Sequence, residues 1–339
     1  MKAFTVDGRG LNHLNMVELP EPALPGPDHV LVDVHAVSLN FRDLMVALGQ
    51  YGGVADRPFV ACSDMAGVVT QIGSQVTTLR VGDRVFNAPF RHWPAGTMRP
   101  EWARTFVGGA GVDGVLAEKI AYPAESLAQV PTHMSLEQGS TLTVAGLTAW
   151  AAVVTHGHVL PGQWVLAHGT GGVSIFAAQI ARMMGARTIL TTSNKQKATL
   201  VKQQLGVEHT IDYRDNDWPT QVQQLTGKRG VDVVVEVAGG PSLARSVRAC
   251  GYGARIAVIG VLAGIESSIN IVDMLHHQIT VRGIFMESVQ ELRAMATAFE
   301  AHQLHPHIDR AFPFDDAPLA YEYLHSQQHI GKVVIAVRS

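Results

Sequence analysis

Two periods of hydrophobic residues divide the chain. In its first part, apolar and polar positions alternate over short runs. Val30-Leu31-Val32-Asp33-Val34-His35-Ala36-Val37 has the alternation of a half-buried strand. Gly67-Val68-Val69-Thr70-Gln71-Ile72-Gly73 and Val81-Gly82-Asp83-Arg84-Val85 read as further short strands broken by glycine turns, and Pro20, Pro22, Pro25 and Pro27 mark an extended loop ahead of the first. Many short strands joined in this way predict a small barrel over residues 1 to about 125. Pro89 to Gly114 has neither period. A loop of that length inside a compact domain is usually functional or a lid, and this one carries Arg91-His92-Trp93-Pro94.

From about Glu125 the period lengthens. Leu136 to Thr155 is Ala-rich and helical. Strands and helices then alternate. Arg187 to Thr192 is a strand, Lys195 to Leu205 a helix ending at Gly206, His209-Thr210-Ile211 a short strand and Trp218 to Leu225 a helix. Val231 to Val235 is a buried strand, Ser242 to Cys250 a helix, and Arg255 to Ile259 and Ile279 to Ile284 are strands. Such alternation predicts a doubly wound parallel sheet. Glu291 to His302 is a further helix, and Gly331 to Val337 is a terminal strand that would return to the first domain.

The chemistry begins at Trp164-Val165-Leu166-Ala167-His168-Gly169-Thr170-Gly171-Gly172-Val173-Ser174, which reads as strand, glycine turn and helix start. Phe176, Ile180 and Met183 or Met184 continue the helix and Gly185 stops it. Gly169 allows a tight turn. Gly171 lets backbone approach a pyrophosphate, which the first N–H groups of the helix can hold. Ser174 stands where the usual fingerprint has a third glycine, a place that needs a tiny residue for helix–strand packing.

Length and composition narrow the class. With 339 residues, two domains are expected, and the net charge of −3 comes with no basic stripe for nucleic acid. Two cysteines, Cys62 and Cys250, make no disulfide framework and suit a reducing, cytoplasmic setting. The N-terminal residues lack a secretory pattern, and no run reaches the ~18 apolar residues of a membrane span.

Several pieces together carry a family resemblance. They are Ser38-Leu39-Asn40-Phe41-Arg42-Asp43, Ser63-Asp64-Met65-Ala66-Gly67, Val81 to Val85, Ala145-Gly146-Leu147-Thr148-Ala149-Trp150, the glycine turn, and Gly331-Lys332-Val333-Val334. With these the chain resembles, end to end, a medium-chain dehydrogenase/reductase. Within that superfamily it is similar to the zinc-free, quinone-oxidoreductase-like branch and to bacterial proteins labelled zinc-type alcohol dehydrogenases. The resemblance implies an α/β protein with a GroES-like, β-rich catalytic domain over residues 1–127, a Rossmann domain over 128–285 and a return to the catalytic domain over 286–339, with the active site in a cleft between them. It also implies a homodimer paired near Gln278 to Ile284.

The resemblance further implies where zinc ligands would fall: a cysteine at Asn40, a histidine and a glutamate at Ser63 and Asp64, and a second cysteine near Val144 or Ala145. None supplies a thiolate or an imidazole, and a structural zinc lobe needs four closely spaced cysteines, so no metal is expected. His302, His305 and His307 have possible spacing, but no cysteine or acid completes the set, and a solvated turn is the expected reading. For the nucleotide, no Asp or Glu occurs between Glu137 and Glu208, so the carboxylate that holds a ribose 2′-OH in NAD enzymes is missing. Ser193 and Lys197 match positions that contact a 2′-phosphate, and Tyr213 one that packs beside it. NADP(H) is therefore expected over NAD(H).

The resemblance places Asn40, Tyr51, Ser63 and Asp64 around the reacting carbon, with Asn40 and Tyr51 as hydrogen-bond donors to a developing oxyanion. It places Asn40, Phe41, Thr148, Gly169, Thr170, Gly171, Gly172, Val173, Ser193, Lys197, Tyr213, Ala238, Ile259, Gly260, Val261 and Phe285 along the dinucleotide. Plainer readings stand beside these: a turn amide for Asn40, a pocket wall for Tyr51, a salt bridge for Arg42 and Asp43, a surface residue for His92. The expected activity is zinc-independent reduction of a quinone or α,β-unsaturated carbonyl by NADPH. The alternatives are an alcohol dehydrogenase or aldehyde reductase, and an NADPH-binding protein without turnover.

Overall fold

The computed structural model describes residues 1–23, 26–109 and 111–338. Pro25 of the proline-marked loop and Ala110 of the Pro89 to Gly114 loop lie outside the described residues. The chain forms two compact units, residues 1–147 with 288–339, and residues 148–287. These seams differ from 127/128 and 285/286. The reason is α3 (below), which packs on strands of the first unit and so carries the boundary past itself.

In the first unit the elements run β1 (Lys2–Val6), β2 (Asn15–Glu18), β3 (His29–Leu39), α1 (Phe41–Ala47), β4 (Phe59–Val60), β5 (Asp64–Ile72), β6 (Arg84–Asn87), α2 (Pro100–Ala103), β7 (Lys119–Pro123), β8 (Leu127–Gln129) and α3 (Leu136–Ser140). The helical stretch continues through a π turn, Leu142–Gly146, into α4 (Leu147–Trp150) and a second π turn, Ala151–Thr155. The second unit holds β9 (Trp164–His168), α5 (Gly172–Met183), β10 (Arg187–Thr191), α6 (Lys195–Leu205), β11 (His209–Ile211), α7 (Trp218–Leu225), β12 (Val231–Glu236), α8 (Pro241–Ala249), β13 (Cys250–Val258), α9 (Ile271–His277) and β14 (Thr280–Gly283). The chain then adds α10 (Val289–His302), β15 (Ile308–Pro313), α11 (Ala317–His325) and β16 (Lys332–Ala336) to the first unit. No helix among the described residues is long and apolar enough to cross a membrane.

The first unit is built on a seven-stranded sheet, β15-β16-β3-β5-β6-β8 with β7 on β3, and a three-stranded sheet, β2-β1-β4. β16 pairs antiparallel with β3, Val333 opposite Leu39 and Val334 opposite Ser38. The strand expected at Val81 starts only at Arg84, because Gly82 takes φ +95° and the Asp83 carboxylate accepts from the Arg80 N–H, which closes a turn. The Pro89 to Gly114 segment is more ordered than a loop. It contains α2, Trp93 is buried against Phe90, and Phe90 stacks on Phe106.

The second unit is a six-stranded parallel sheet in the order β11-β10-β9-β12-β13-β14. β9 is buried along its whole length, as are Val233, Val234 and Val235 of β12, which accounts for their unbroken apolar runs. Strand order reverses at β9, so the carboxyl ends of β9, β10 and β12 converge where open α/β sheets take their ligands.

A buried polar knot ties those three strand ends together. The Glu236 carboxylate accepts from the Ala238 and Gly239 N–H groups at 2.9 and 3.0 Å and from the Ser242 and Ser246 hydroxyls at 3.1 and 2.5 Å. His168 Nε2 lies 2.8 Å from Ser246 Oγ and 3.2 Å from Glu236, and its Nδ1 is 3.1 Å from Thr191 Oγ1. The one hydroxyl hydrogen of Ser246 goes to Glu236, so His168 Nε2 carries a hydrogen. Burial pushes the Glu236 carboxyl up, but the His168 charge and the hydrogen bonds from His168, Ser246 and Gly239 outweigh it and bring its pKa down to about 2.

A carboxyl whose folded pKa lies below its unfolded value stabilises the fold above the unfolded value and loses that contribution as pH falls. From 4.5 to about 2, the shift of Glu236 is equivalent to on the order of 3 kcal/mol, lost between those two pH values. We expect Glu236→Gln to lower the urea midpoint at pH 7 and to flatten the acid limb of stability, as measured by unfolding curves from pH 7 to pH 2.

Candidate active site

In the first unit, α1 begins directly at the end of β3, and Asn40 is its N-cap. The Asp43 carboxylate, three residues on, accepts from the Asn40 backbone N–H at 2.8 Å, which satisfies one of the donors a helix start leaves open. Arg42 Nη1 donates to Asp43 at 3.0 Å, and the same guanidinium donates to the carbonyls of Val107 and Gly108 at 3.1 and 2.8 Å. Arg42 and Asp43 therefore form a structural pair, as the plainer reading had it. Burial pushes the Asp43 carboxyl up to about 6, with Arg42 opposing the rise and Asp64 adding to it.

Ser63 and Asp64 sit where β5 begins, both fully buried. The Ser63 hydroxyl donates to Asp64 Oδ1 at 2.6 Å, and the Val144 N–H donates to Asp64 Oδ2 at 3.1 Å. Val144 can do so because it lies in the π turn Leu142–Gly146, where the backbone pairing of an ordinary helix is shifted. Asn87, also fully buried, accepts from the Met65 N–H and donates to the Ser63 carbonyl, which fixes this strand start.

The cluster is completed from the far end of the chain by Lys332, the first residue of β16, which is 2% exposed. Its ammonium donates to the Leu39 carbonyl at 2.6 Å and to Asn40 Oδ1 at 2.7 Å. Burial lowers the Lys332 pKa, while Asp64, Asp43 and Cys62 favour its charged form. Burial raises the Asp64 carboxyl, and Lys332 and the nearby Asn40 amide, Ser63 and Val144 hold it down. The Asn40 Nδ2 lies close enough to Asp64 to favour its charged form but makes no hydrogen bond of good geometry.

Asn40, Ser63 and Asp64 are thus brought into one buried cluster. Tyr51 lies beside Arg42, whose guanidinium is 5.7 Å from the Tyr51 ring centroid, and the Tyr51 ring packs on Phe106. Burial raises the Tyr51 phenol, with Arg42 opposing. Phe41 is partly exposed at the helix start. His92 is half-exposed and lies 3.8 Å from Glu125, on the surface and outside the cluster. In the sequence Lys332 stands out only as part of the Gly331-Lys332-Val333-Val334 motif. A lone lysine opening an otherwise apolar terminal strand is the signal that could have singled it out.

The donor set does not suit zinc. At the four positions where ligands would fall stand an amide, a hydroxyl, a carboxylate already holding two hydrogens, and a valine backbone. Among the described residues no three His, Cys, Asp or Glu side chains group so as to hold a metal. Of the three C-terminal histidines, His305 lies edge-on to His133 with ring centroids 4.8 Å apart.

In the second unit the carboxyl ends of the central strands present backbone. Gly169 has φ +77°, and neither it nor Gly171 has any atom within 4 Å of the place a Cβ would occupy, so the turn offers open space above its backbone. Gly171 caps α5, with Gly172 and Val173 as its first residues and buried Thr170 just before it. Ser174 is buried, and its hydroxyl donates to the His168 carbonyl at 2.6 Å, so this residue bonds the helix to the strand as well as packing there. After β10, the Ser193 hydroxyl donates to the Tyr213 hydroxyl at 2.9 Å, and Asn194 caps α6 by accepting from the Gln196 and Lys197 N–H groups. Asp212, the residue before Tyr213, is held well below the usual carboxylate range, to about 2, by hydrogen bonds from Arg214. Ala238 is tied to Glu236. The Ile259 and Gly260 N–H groups donate to the Glu236 carbonyl at 2.9 and 3.3 Å. Val261 and Phe285 are exposed, and Thr148 is buried at the start of this unit. These positions fit a dinucleotide: a glycine cradle at a helix start, two hydroxyls in place of an acid at the next strand end, and open backbone beyond.

Comparison with known proteins agrees. Residues 26–132 match the alcohol dehydrogenase GroES-like domain, and residues 172–301 match the family described as zinc-binding dehydrogenase. A zinc-type alcohol dehydrogenase-like protein of Schizosaccharomyces pombe is 35% identical over 97% of this chain and 96% of its own. Human quinone oxidoreductase is 27% identical over 92% and 91%. A Sinorhizobium meliloti protein assigned as an alcohol dehydrogenase superimposes with a TM-score of 0.91 at 37% identity, covering 99% of this chain and 98% of that one. A mycobacterial protein solved in complex with NADPH gives a TM-score of 0.80 at 27% identity, covering 99% of both chains. The chain belongs to the medium-chain dehydrogenase/reductase superfamily and fits its quinone-oxidoreductase-like branch.

Proposed function

We propose that this oxidoreductase reduces a quinone or an α,β-unsaturated carbonyl with NADPH and without zinc. The observation that carries the reading is the state of the ligand positions. Asn40, Ser63 and Asp64 are committed to hydrogen bonds within the protein, and the one unsatisfied group among them is an amide donor. A donor suits an acceptor oxygen that gains negative charge. It does not help an alcohol lose a proton, which without a Lewis acid needs a tuned base.

Bound NADPH would supply the hydride. For its part the chain would hold the pyrophosphate on Gly169, Thr170, Gly171, Gly172 and Val173, and the 2′-phosphate on Ser193, Lys197 and Tyr213. Thr148, Ala238, Ile259, Gly260, Val261 and Phe285 would flank the nicotinamide, with Asn40 and Phe41 near the acceptor. Support for NADP(H) over NAD(H) comes from the missing acid between Glu137 and Glu208 and from the engagement of Asp212 with Arg214. Tyr51 is the second donor of the proposed site, behind Asn40. A reading as an alcohol dehydrogenase is favoured by the names of the Schizosaccharomyces pombe and Sinorhizobium meliloti relatives.

A homodimer is part of the proposal. Among the described residues β14 pairs with β13 alone, leaving one edge open, and Tyr252, Ile265, Ile271, Val272, Leu275 and Phe285 expose apolar surface in the same unit. An open strand edge with apolar surface is unusual on a monomer.

NADPH oxidation followed with a quinone, an enone and an aldehyde in parallel tests the activity. Turnover of the first two, unaffected by chelator dialysis, is expected; turnover of an alcohol with NAD+ alone would overturn the reading. Ser193→Ala with Lys197→Ala is expected to raise KM for NADPH about 10-fold or more while barely changing KM for NADH, since charge-assisted phosphate contacts are lost. For the dimer, Ile271→Glu with Leu275→Glu is expected to give a monomer in light scattering after gel filtration.

A further inference from the structure

We infer that Lys332 is a positioning residue for the reaction: it fixes the sense of the Asn40 amide so that its NH2 faces the acceptor oxygen. The inference rests on the proposed function and names a residue that the reading above does not use.

The argument is one of donors and acceptors. An ammonium has three donors and no acceptor, so an asparagine side chain 2.7 Å from it must present its oxygen. The amide is planar, so its NH2 then points away from Lys332. The Asn40 backbone cannot swing to compensate, because its N–H is held by the Asp43 carboxylate at 2.8 Å. Lys332 cannot move either. Its strand pairs residue by residue with β3, and its ammonium also donates to the Leu39 carbonyl at 2.6 Å.

What remains is Nδ2, an unpartnered donor on a residue only 9% exposed. A buried donor left unpaired is costly, and native structures seldom leave one without a reason. The Asp64 carboxylate is near enough for the Asn40 amide to favour its charged form, but Nδ2 makes no hydrogen bond of good geometry to it, and its oxygens accept from Ser63 and from Val144. The unmet partner of Asn40 is therefore sought outside this unit's own groups. A carbonyl or quinone oxygen has the needed chemistry: a neutral acceptor that becomes a better one as charge develops on it. The arrangement also disfavours a ligand that must donate to Asn40, since the amide oxygen is occupied.

Steady-state kinetics with NADPH and two acceptors, a short-chain enone and a benzoquinone, tests the inference, alongside NADPH affinity by fluorescence and thermal melting. Removing an oriented donor to an oxyanion commonly costs about 100-fold in kcat, which is expected of Asn40→Ala. Lys332→Met is expected to lower kcat about 10-fold or more with both acceptors, with NADPH affinity within about 2-fold, because the amide is then free to turn. Lys332→Arg, which keeps a charged donor, is expected to recover much of the loss. The double variant Lys332→Met with Asn40→Ala is expected to be no slower than Asn40→Ala alone, as for two residues acting through one group.

If Lys332→Met keeps wild-type kcat while Asn40→Ala is impaired, or if the two losses multiply, the inference is overturned and the proposed function stands. If Asn40→Ala itself keeps wild-type kcat, the donor reading falls and the inference falls with it. Should Lys332→Met fail to fold because two acids lose their counter-charge, Lys332→Met with Asp64→Asn removes one charge of each sign. That pair is compared with Asp64→Asn alone, and an equal kcat in the two overturns the inference.

Discussion

The candidate site of the first unit depends on one strand pairing. β16 lies against β3 with Val333 opposite Leu39, and this register delivers Lys332 to Asn40, 292 positions earlier in the chain. A slip of one residue would turn Lys332 to the other face of the sheet and put a valine at the amide. The apolar run that follows the lysine guards the register, since Val333, Val334 and Ile335 are all fully buried. Hydrophobic burial along a strand thus specifies the position of a charged group that the same burial disfavours.

That group is expensive to keep. A buried ion pair seldom adds net stability over an apolar replacement, and Lys332 has no carboxylate in direct contact. Its two hydrogen bonds go to neutral oxygens, and the charge is balanced at longer range by Asp64 and Asp43. The opposite case is Glu236, which takes five hydrogen-bond or ionic contacts: two from the turn after its own strand, two from serines of α8 and one from His168 at the end of β9. The fully satisfied carboxylate has its pKa driven down. The carboxyl groups of Asp43 and Asp64, less well compensated, have theirs driven up. Burial acts the same way on all three, and the number and charge of the donors decide the sign.

How much of this was legible follows from range. Periodicity and glycine placement predict several elements of the second unit nearly residue by residue, although β13 starts at Cys250 rather than Arg255. α6, β11 and α7 fall where expected, because each is bounded by its own cap or breaker, such as Asn194 and Gly206 around α6. The sequence pattern predicts neither α9 nor α11. Each is short, and in α9 the apolar residues Ile271, Val272 and Leu275 face outward, so that its pattern answers to no core of its own. The site was legible as residue types at motif positions, hence Asn40, Ser63 and Asp64, but the wiring between them was not. Neither the π turn that frees the Val144 N–H nor the role of Lys332 has a local signature, since both are set by partners about 80 or more residues away. Ser174 shows the same gap on a small scale. Its size was predictable from the glycine it replaces, and its hydrogen bond to His168 was not.

The replacement of ligand types at Asn40 and Ser63 bears on how such a site changes chemistry. A metal centre demands several soft or imidazole donors at once, and losing one leaves the others as buried charges or thiols without a partner. Here each position instead has a local partner: Ser63 donates to Asp64, Asp64 also accepts from Val144, and Asn40 accepts from Lys332. The cation beside these positions is a lysine ammonium fixed by the fold. Lys332 is buried behind Asn40 and Leu39, so on the proposed function its charge reaches the acceptor through the group it orients. On the proposed function, that makes the Asn40 amide the relay and gives the site the chemistry of a hydrogen-bond donor.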